Sequence, residues 1–164
     1  MIDIETGEIS ELESRLLMLY EEDEYKILFN DLAYIVFEPN ELSIHKRAGC
    51  VVDSSGNKIT ETVFDCAIPI NNGSSILGYC LLMPEILGTY TDKFYTNNNG
   101  YYELKDRAPE DIKVPILKED LTIDIARMSI NRWKPSTPEL ILSYKFKKFI
   151  SYVNSETGFI EYFK

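Results

Sequence analysis

The sequence contains only one histidine, His45, and this excludes every site that needs two or more imidazole groups. Glycine-rich loops that bind phosphate are absent too, since neither G-x-x-x-x-G-K nor G-x-G-x-x-G occurs. The three cysteines, Cys50, Cys66 and Cys80, are not spaced as the paired zinc ligands of a C-x₂-C motif. Most sequence signatures of catalysis are therefore missing.

Apolar runs of about 18 to 20 residues, which a transmembrane helix requires, do not occur either. The N-terminal residues MIDIETGEIS lack the basic and apolar parts of a signal peptide. An odd number of cysteines, each in an apolar stretch, favours buried thiols over a disulfide framework. We therefore expect a cytoplasmic or virion protein with no membrane partner.

The histidine and the cysteines allow one chemical alternative. A predicted hairpin around the turn at 54–57 pairs Val52 with Ile59 and places His45 opposite Cys66. Such a pair could act as a thiol–imidazole site or, with a second cysteine, bind zinc. Core cysteines beside a histidine on a hairpin are the simpler interpretation, so we predict no catalytic residue, no metal and no cofactor.

What the sequence does have is the composition of a folded domain. Hydrophobic residues make up 45% and charged residues 27%, with 11 Tyr and 8 Phe, whereas disordered chains are poor in aromatic residues. A chain of 164 residues is long enough to bury a sizeable core. We predict a single domain over 1–164, with an acidic helical segment over 1–24 and a β-rich body over 25–164.

The charge is concentrated in one part of the sequence. Residues 1–41 carry 12 acidic and two basic side chains, so the whole net charge of −10 belongs to that quarter. Residues 127–148 carry six basic side chains and one acidic side chain. Both regions are either solvated faces or surfaces for a protein partner, which includes further copies of the chain. An acidic protein is disfavoured as a binder of nucleic acid, because phosphates repel it.

An amphipathic helix is predicted near the N-terminus. Ser10 and Glu13 form a capping box, and leucines follow at helical spacing, which gives a helix over about 10–22. The acidic cluster Glu21–Glu24 lies at its C-terminal end, where the helix dipole favours cations. This cluster is therefore either simply solvated or a contact surface.

The rest of the sequence is predicted to form about eight strands, because turn signals separate short apolar stretches. The predicted strands lie in 25–37, where one or two strands flank Asn30-Asp31, and in 44–53, 58–68, 75–83, 90–95, 101–104, 121–130 and 159–163. In the seventh, Ile123 and Ile125 alternate with polar residues, which predicts a half-buried strand. Residues 137–153 fit both a helix that starts at Pro138 and an alternating strand, and we prefer the helix. The predicted class is α+β, mainly antiparallel β and rich in hairpins, with an N-terminal amphipathic helix and a C-terminal helix.

The residues Ile2-Asp3-Ile4-Glu5-Thr6-Gly7 resemble the first motif of the DEDD-type 3′–5′ exonucleases. Asp3 and Glu5 would share one face of a strand, and in that family such a pair holds two metal ions for phosphodiester cleavage. The resemblance implies a second acid, for which Asp65 is the candidate, and a later His or Tyr beside an acid, for which 102–106 is the candidate. A metal-dependent exonuclease is thus one alternative.

We favour a non-enzymatic protein–protein interaction or assembly protein, such as a connector, neck or baseplate component of a phage-type virion. The abundance of Ile, Asn, Lys and Tyr and the many turns support it. An acidic inhibitor or immunity protein that covers a basic toxin or nuclease site is the main alternative. Trp133 between two cations has the composition of an interface hot spot. The residues predicted to bind a partner are Glu21, Glu22, Asp23, Glu24, Arg127, Arg132, Trp133 and Lys134.

Overall fold

Antiparallel strands make up most of the regular structure. The computed structural model describes residues 16, 18–21, 24–41, 46–82, 94–96, 102–104, 112–131, 139–152 and 160–164. The strands are β1 (Tyr25–Leu28), β2 (Ala33–Pro39), β3 (Arg47–Asp53), β4 (Cys66–Asn72), β5 (Ser75–Leu82), β6 (Phe94–Thr96), β7 (Tyr102–Leu104), β8 (Ile112–Leu117), β9 (Ile123–Asn131), β10 (Glu139–Tyr144) and β11 (Lys147–Tyr152). The prediction of a mainly antiparallel β protein is confirmed.

The chain divides into two compact units, Met1–Asp65 and Cys66–Lys164. The first unit contains β1, β2 and β3, which form one antiparallel sheet with β2 in the centre. The second contains a six-stranded sheet and the separate antiparallel pair β6–β7. The prediction of a single domain over 1–164 stays a prediction.

One face of the sheet in the first unit carries a small core of side chains that alternate along β2 and β3. This core consists of Leu16, Tyr34, Val36, Cys50 and Val52. On the other face, the ring of Phe37 lies against the bare Cα of Gly49, where a Cβ would come within 2.8 Å of the ring. The guanidinium of Arg47 stacks on that ring, with Cζ 3.9 Å from the centroid.

The turn at 54–57 is confirmed, and the carboxylate of Asp53 organises it. Oδ1 of Asp53 accepts hydrogen bonds from the amides of Ser55 and Asn57 at 2.9 and 2.8 Å. These and further hydrogen bonds, the Asn57 amide foremost, lower the pKa of Asp53. The predicted hairpin with a strand over 58–68 is wrong over 58–65, where the structure has only two isolated bridges: Val52 bridges to Lys58 and not to Ile59, and Gly49 bridges to Phe64. The reason is that the carboxylate of Asp53, at the end of β3, binds the amides of Ser55 and Asn57 and so fixes the loop.

In the second unit, six strands follow one another across the sheet in the order β4-β5-β8-β9-β10-β11, and every neighbouring pair is antiparallel. Side chains from one side of all six strands form a single core. Its buried members are Ile68, Ile70, Cys80, Leu82, Val114, Ile116, Ala126, Met128, Leu140, Leu142, Tyr144, Phe149 and Phe163. The sheet therefore wraps around its own inward-facing side chains.

The last two residues lie between β4 and β11, which are the two edge strands of this sheet. The amide of Asn71 donates to the carbonyl of Phe163 at 2.7 Å, and the amide of Phe163 donates to the carbonyl of Pro69 at 2.9 Å. On the other side, Lys164 and Ile150 exchange two hydrogen bonds of 3.0 and 2.8 Å. The sheet is therefore a nearly closed barrel, and its edges are largely paired.

The predicted C-terminal helix over 137–153 is wrong where the structure describes it. Residues 139–152 form the hairpin β10–β11, in which Leu142 pairs with Phe149 and Glu139 with Tyr152. The alternation of buried and exposed residues, with Leu140 and Tyr144 directed into the barrel, decides against a helix.

The predicted N-terminal helix falls mostly on residues outside those described. Leu16, Met18 and Leu19 have helical backbone, and the amide of Tyr20 donates to the carbonyl of Leu16 at 2.8 Å, as in a helical turn. The remainder of 10–22 stays a prediction.

The predicted strand 121–130 is present as β9, but Ile123 and Ile125, the residues on which the prediction rests, point away from the core. Ala126 and Met128 are buried in the barrel, whereas Ile123 and Ile125 lie on the outer side and are exposed. The alternation gives the period of the strand correctly, while the choice of face follows from the register with β8 and β10.

Candidate interaction surfaces

Three cations and one serine form a row across four strands on the outer side of the barrel. The strand register places Lys113 opposite Arg127, Arg127 opposite Ser143, and Ser143 opposite Lys148. All four side chains are exposed. Since neighbouring strands lie about 4.8 Å apart, the row from β8 to β11 spans roughly 14 Å.

Exposed apolar side chains flank this row. Ile125 on β9 is 56% exposed, and Ile150 on β11 is exposed opposite the half-buried Ile141. We call Lys113, Ile125, Arg127, Lys148 and Ile150 the basic face. Cations beside apolar side chains on a rigid sheet are suited to bind a partner that offers carboxylates and apolar side chains together.

The hairpin tip next to this face has an unusual backbone. Lys145 and Phe146 form the two-residue loop between β10 and β11, and their φ angles are +48° and +63°. Positive φ at both positions is the mark of a type I′ turn, in which Asn-Gly is the preferred sequence. Phe146 is fully exposed, and Nζ of Lys145 lies 5.3 Å from the ring centroid of Tyr144.

The acidic segment contains a second exposed surface. Met18 is 84% exposed and Leu19 is 68% exposed. The chain then turns: the amide of Glu24 donates to the carbonyl of Glu21, and the amide of Glu21 donates to Oε2 of Glu24, both at 3.0 Å. We call Met18, Leu19, Glu21 and Glu24 the acidic turn. It combines apolar side chains with carboxylates, as the basic face combines them with cations.

Of the predicted partner-binding residues, three can be placed. Glu21 and Glu24 belong to the acidic turn, and Arg127 lies in the middle of the cation row. Glu22, Asp23, Arg132, Trp133 and Lys134 lie outside the described residues.

The sequence does not place three residues of this surface correctly, although Lys148 is counted in the basic region 127–148. Lys113 falls at the end of a polar stretch that reads as a loop, so its place beside Arg127 follows only from the pairing of β8 with β9. Lys148 and Phe146 were assigned to a helix. The alternation on both sides of Lys145-Phe146 is the signal that could have revealed the hairpin.

Tyr144 directly precedes the turn of the same hairpin, and its hydroxyl donates to Oδ2 of Asp124 at 3.2 Å. Burial and the nearby Asp124 carboxylate raise the pKa of Tyr144 to about 12. The phenol therefore stays protonated at neutral pH and ties β10 to β9. Its role is structural.

The cysteines form no disulfide, as the sequence predicts. Cys50 and Cys80 are buried, and burial raises the pKa of the Cys80 thiol well above its ordinary value, which opposes formation of a thiolate. His45 lies outside the described residues. Among the residues that the structure does describe, no three His, Cys, Asp or Glu side chains converge as a metal site.

The exonuclease alternative concerns Asp3 and Glu5, which also lie outside the described part of the chain. Asp65, the candidate for the second acid, is fully buried. Tyr102 and its neighbours form β7, which pairs with β6. The alternative stays untested.

In the described part of the chain, no helix has the length and apolar character needed to cross a membrane. No protein-family model matches the sequence, no curated protein is significantly similar to it, and no solved structure has a significantly similar fold.

Proposed function

We propose that this chain is a non-enzymatic assembly protein that associates head to tail with copies of itself. The acidic turn of one copy would bind the basic face of the next. The observation that carries the proposal is the row of Lys113, Arg127 and Lys148, flanked by exposed Ile125 and Ile150 on the outer side of the barrel.

The two surfaces complement each other in two ways. Carboxylates of Glu21 and Glu24 would oppose cations of the row, which steers association and fixes orientation. Met18 and Leu19 would cover exposed apolar side chains beside the row, and the removal of this apolar surface from water supplies the favourable free energy.

An interface between two different surfaces of the same chain is heterologous. Repetition of such a contact produces a closed ring or an open filament. Rings and filaments both suit a structural protein. More specifically, we propose a connector, neck or baseplate protein of a phage-type virion. The composition rich in Ile, Asn, Lys and Tyr supports this more specific proposal.

Light scattering combined with sedimentation velocity tests the proposal on the full chain. We expect oligomers at low salt that dissociate as the ionic strength rises, because the screening length falls from about 10 Å at 0.1 M to about 3 Å at 1 M. The double variant Lys113→Gln with Lys148→Gln should be mainly monomeric, whereas Lys58→Gln, an exposed lysine in the first unit, should assemble normally. A wild-type chain that stays monomeric at every concentration would overturn the proposal.

A second candidate rests on the acidic turn alone. An inhibitor or immunity protein would use Glu21, Glu24 and the exposed Met18 and Leu19 to cover a basic site on another protein. Such a protein would be monomeric and would bind its basic partner at a salt-sensitive rate. Neutralising the two glutamates would slow that association without changing the oligomeric state.

A further inference from the structure

Phe146 combines two unfavourable features in one residue. Its φ of +63° lies in the left-handed region, which aromatic residues rarely adopt, and its ring is fully exposed. The neighbouring aromatic residues behave differently, since Tyr144 and Phe149 point into the barrel and are buried. Neither the fold nor the solubility of the single chain gains from a phenylalanine at this tip.

The hairpin does not require Lys145-Phe146 as its loop. A type I′ turn forms most readily with Asn-Gly, because both residues accept positive φ. Phe29 also has a positive φ, of +50°, but its side chain is buried, whereas that of Phe146 is exposed. Strained positions cluster at functional sites. The fold of the single chain therefore does not explain the exposed ring of Phe146.

The tip is continuous with the basic face. Lys148 follows Phe146 by two residues on β11 and belongs to the cation row, and Lys145 precedes it. Aromatic side chains, phenylalanine included, are enriched in protein interfaces, and a ring held in a two-residue turn loses little conformational entropy on binding.

We propose that Phe146 is an aromatic anchor that inserts against Met18 and Leu19 of the acidic turn in a second copy of the chain. Lys145 and Lys148 then face the carboxylates beside those apolar residues. The choice of occupant follows from complementarity, because the acidic turn offers exposed apolar side chains and negative charge together. This inference rests on the proposed head-to-tail assembly and identifies the residue on which that contact depends.

The variant Phe146→Gly separates a binding role from a structural role. Glycine adopts positive φ without strain, so at a concentration where both chains are monomeric the melting temperature of the variant should equal or exceed that of the wild type. Its self-association constant, measured by sedimentation velocity, should fall at least about tenfold. Phe146→Trp should retain association, and Leu32→Ala, which removes an exposed apolar side chain from the β1–β2 loop, should leave association unchanged.

Four outcomes would contradict the proposal, and each has a different meaning. A Phe146→Gly chain that assembles like the wild type overturns the anchor and leaves the assembly proposal standing. A lowered melting temperature of the monomeric variant, at a concentration where the wild type is monomeric too, assigns Phe146 to the fold and overturns the anchor as well. A monomeric wild type removes both proposals. Vesicles of anionic phospholipid test another occupant. If the wild type co-sediments with them and Phe146→Gly does not, while the two chains self-associate equally, the second copy is not the occupant.

Discussion

Lys113 on β8 lies directly opposite Arg127 on β9, and both side chains are exposed. Like charges in directly opposite positions destabilise an antiparallel pair. A neutral or acidic residue at 113 would suit the isolated barrel better. The acidic partner surface proposed above would bring negative charge to this pair.

Replacement of this lysine should affect stability and association in opposite directions. We expect Lys113→Glu to raise the free energy of unfolding by about 0.5 kcal/mol, because a repulsive cross-strand pair becomes attractive. Urea unfolding at a concentration where the chain is monomeric measures this. The same variant should associate more weakly in light scattering. Association at wild-type strength would show that position 113 is outside the interface.

Closure of the barrel by Phe163 should be essential for stability. Its ring is fully buried, while the neighbouring Tyr162 is 44% exposed. We expect Phe163→Ala to lower the free energy of unfolding by about 3–5 kcal/mol, because it leaves a cavity and weakens the link between β4 and β11. Tyr162→Ala is the matched control and should cost far less. Equal losses in thermal unfolding would mean that the closure contributes little.

A side chain at position 78 should not fit. A Cβ on Gly78 would lie 2.9 Å from the carbonyl oxygen of Leu117 and 3.0 Å from Cγ2 of Ile116. Because the carbonyl belongs to the backbone of β8, Gly78→Ala should lower the free energy of unfolding by about 1–3 kcal/mol. Ser75→Ala, at the exposed start of β5, should change it by less than about 0.5 kcal/mol. A fully stable Gly78→Ala would indicate that β5 and β8 can move apart.

The Tyr144–Asp124 hydrogen bond should appear in the alkaline stability of the chain. The pKa of Tyr144 is raised from 10.0 to about 12, first by burial and then by the Asp124 carboxylate. The native state thus holds a proton that the unfolded state releases first. The stabilisation is fully present below pH 10 and is lost as the pH rises towards 12.

In Asp124→Asn the negative charge is absent, so the pKa of Tyr144 should fall and the alkaline loss of stability should be smaller. Ultraviolet difference absorbance of tyrosinate follows the titration, and chemical unfolding at several alkaline pH values follows the stability. An unchanged titration would mean that burial alone sets this pKa.

Local chemistry allowed much of the fold to be predicted. The turn around Gly73, which has a φ of +73°, lies between β4 and β5 as the sequence indicates, and the two strands around Asn30-Asp31 are present. Both turns contain residues that tolerate positive φ, so the signal lies in the turn itself. The turn at Lys145-Phe146 carries no such signal, and the hairpin there was missed.

The candidate surfaces were harder to predict, because they depend on register. Glu21, Glu24 and Arg127 could be proposed from the distribution of charge along the sequence. The position of Lys113 beside Arg127 could not be predicted, since it requires the pairing of β8 with β9. The residues that connect these two strands do not have the sequence of a tight turn. The exposure of Ile125 could not be predicted either, because an alternating sequence defines the two faces of a strand and does not show which face is buried.

A mixing experiment tests head-to-tail association most directly. Leu19→Ser with Glu21→Gln disables the acidic turn and leaves the basic face intact; Ile125→Ser with Lys148→Gln does the reverse. Each double variant alone should be monomeric. Mixed in equal amounts, they should form a dimer of one copy of each and nothing larger, because each copy has one functional surface. A mixture that stays monomeric in light scattering, while the wild type assembles, would contradict binding of the acidic turn to the basic face.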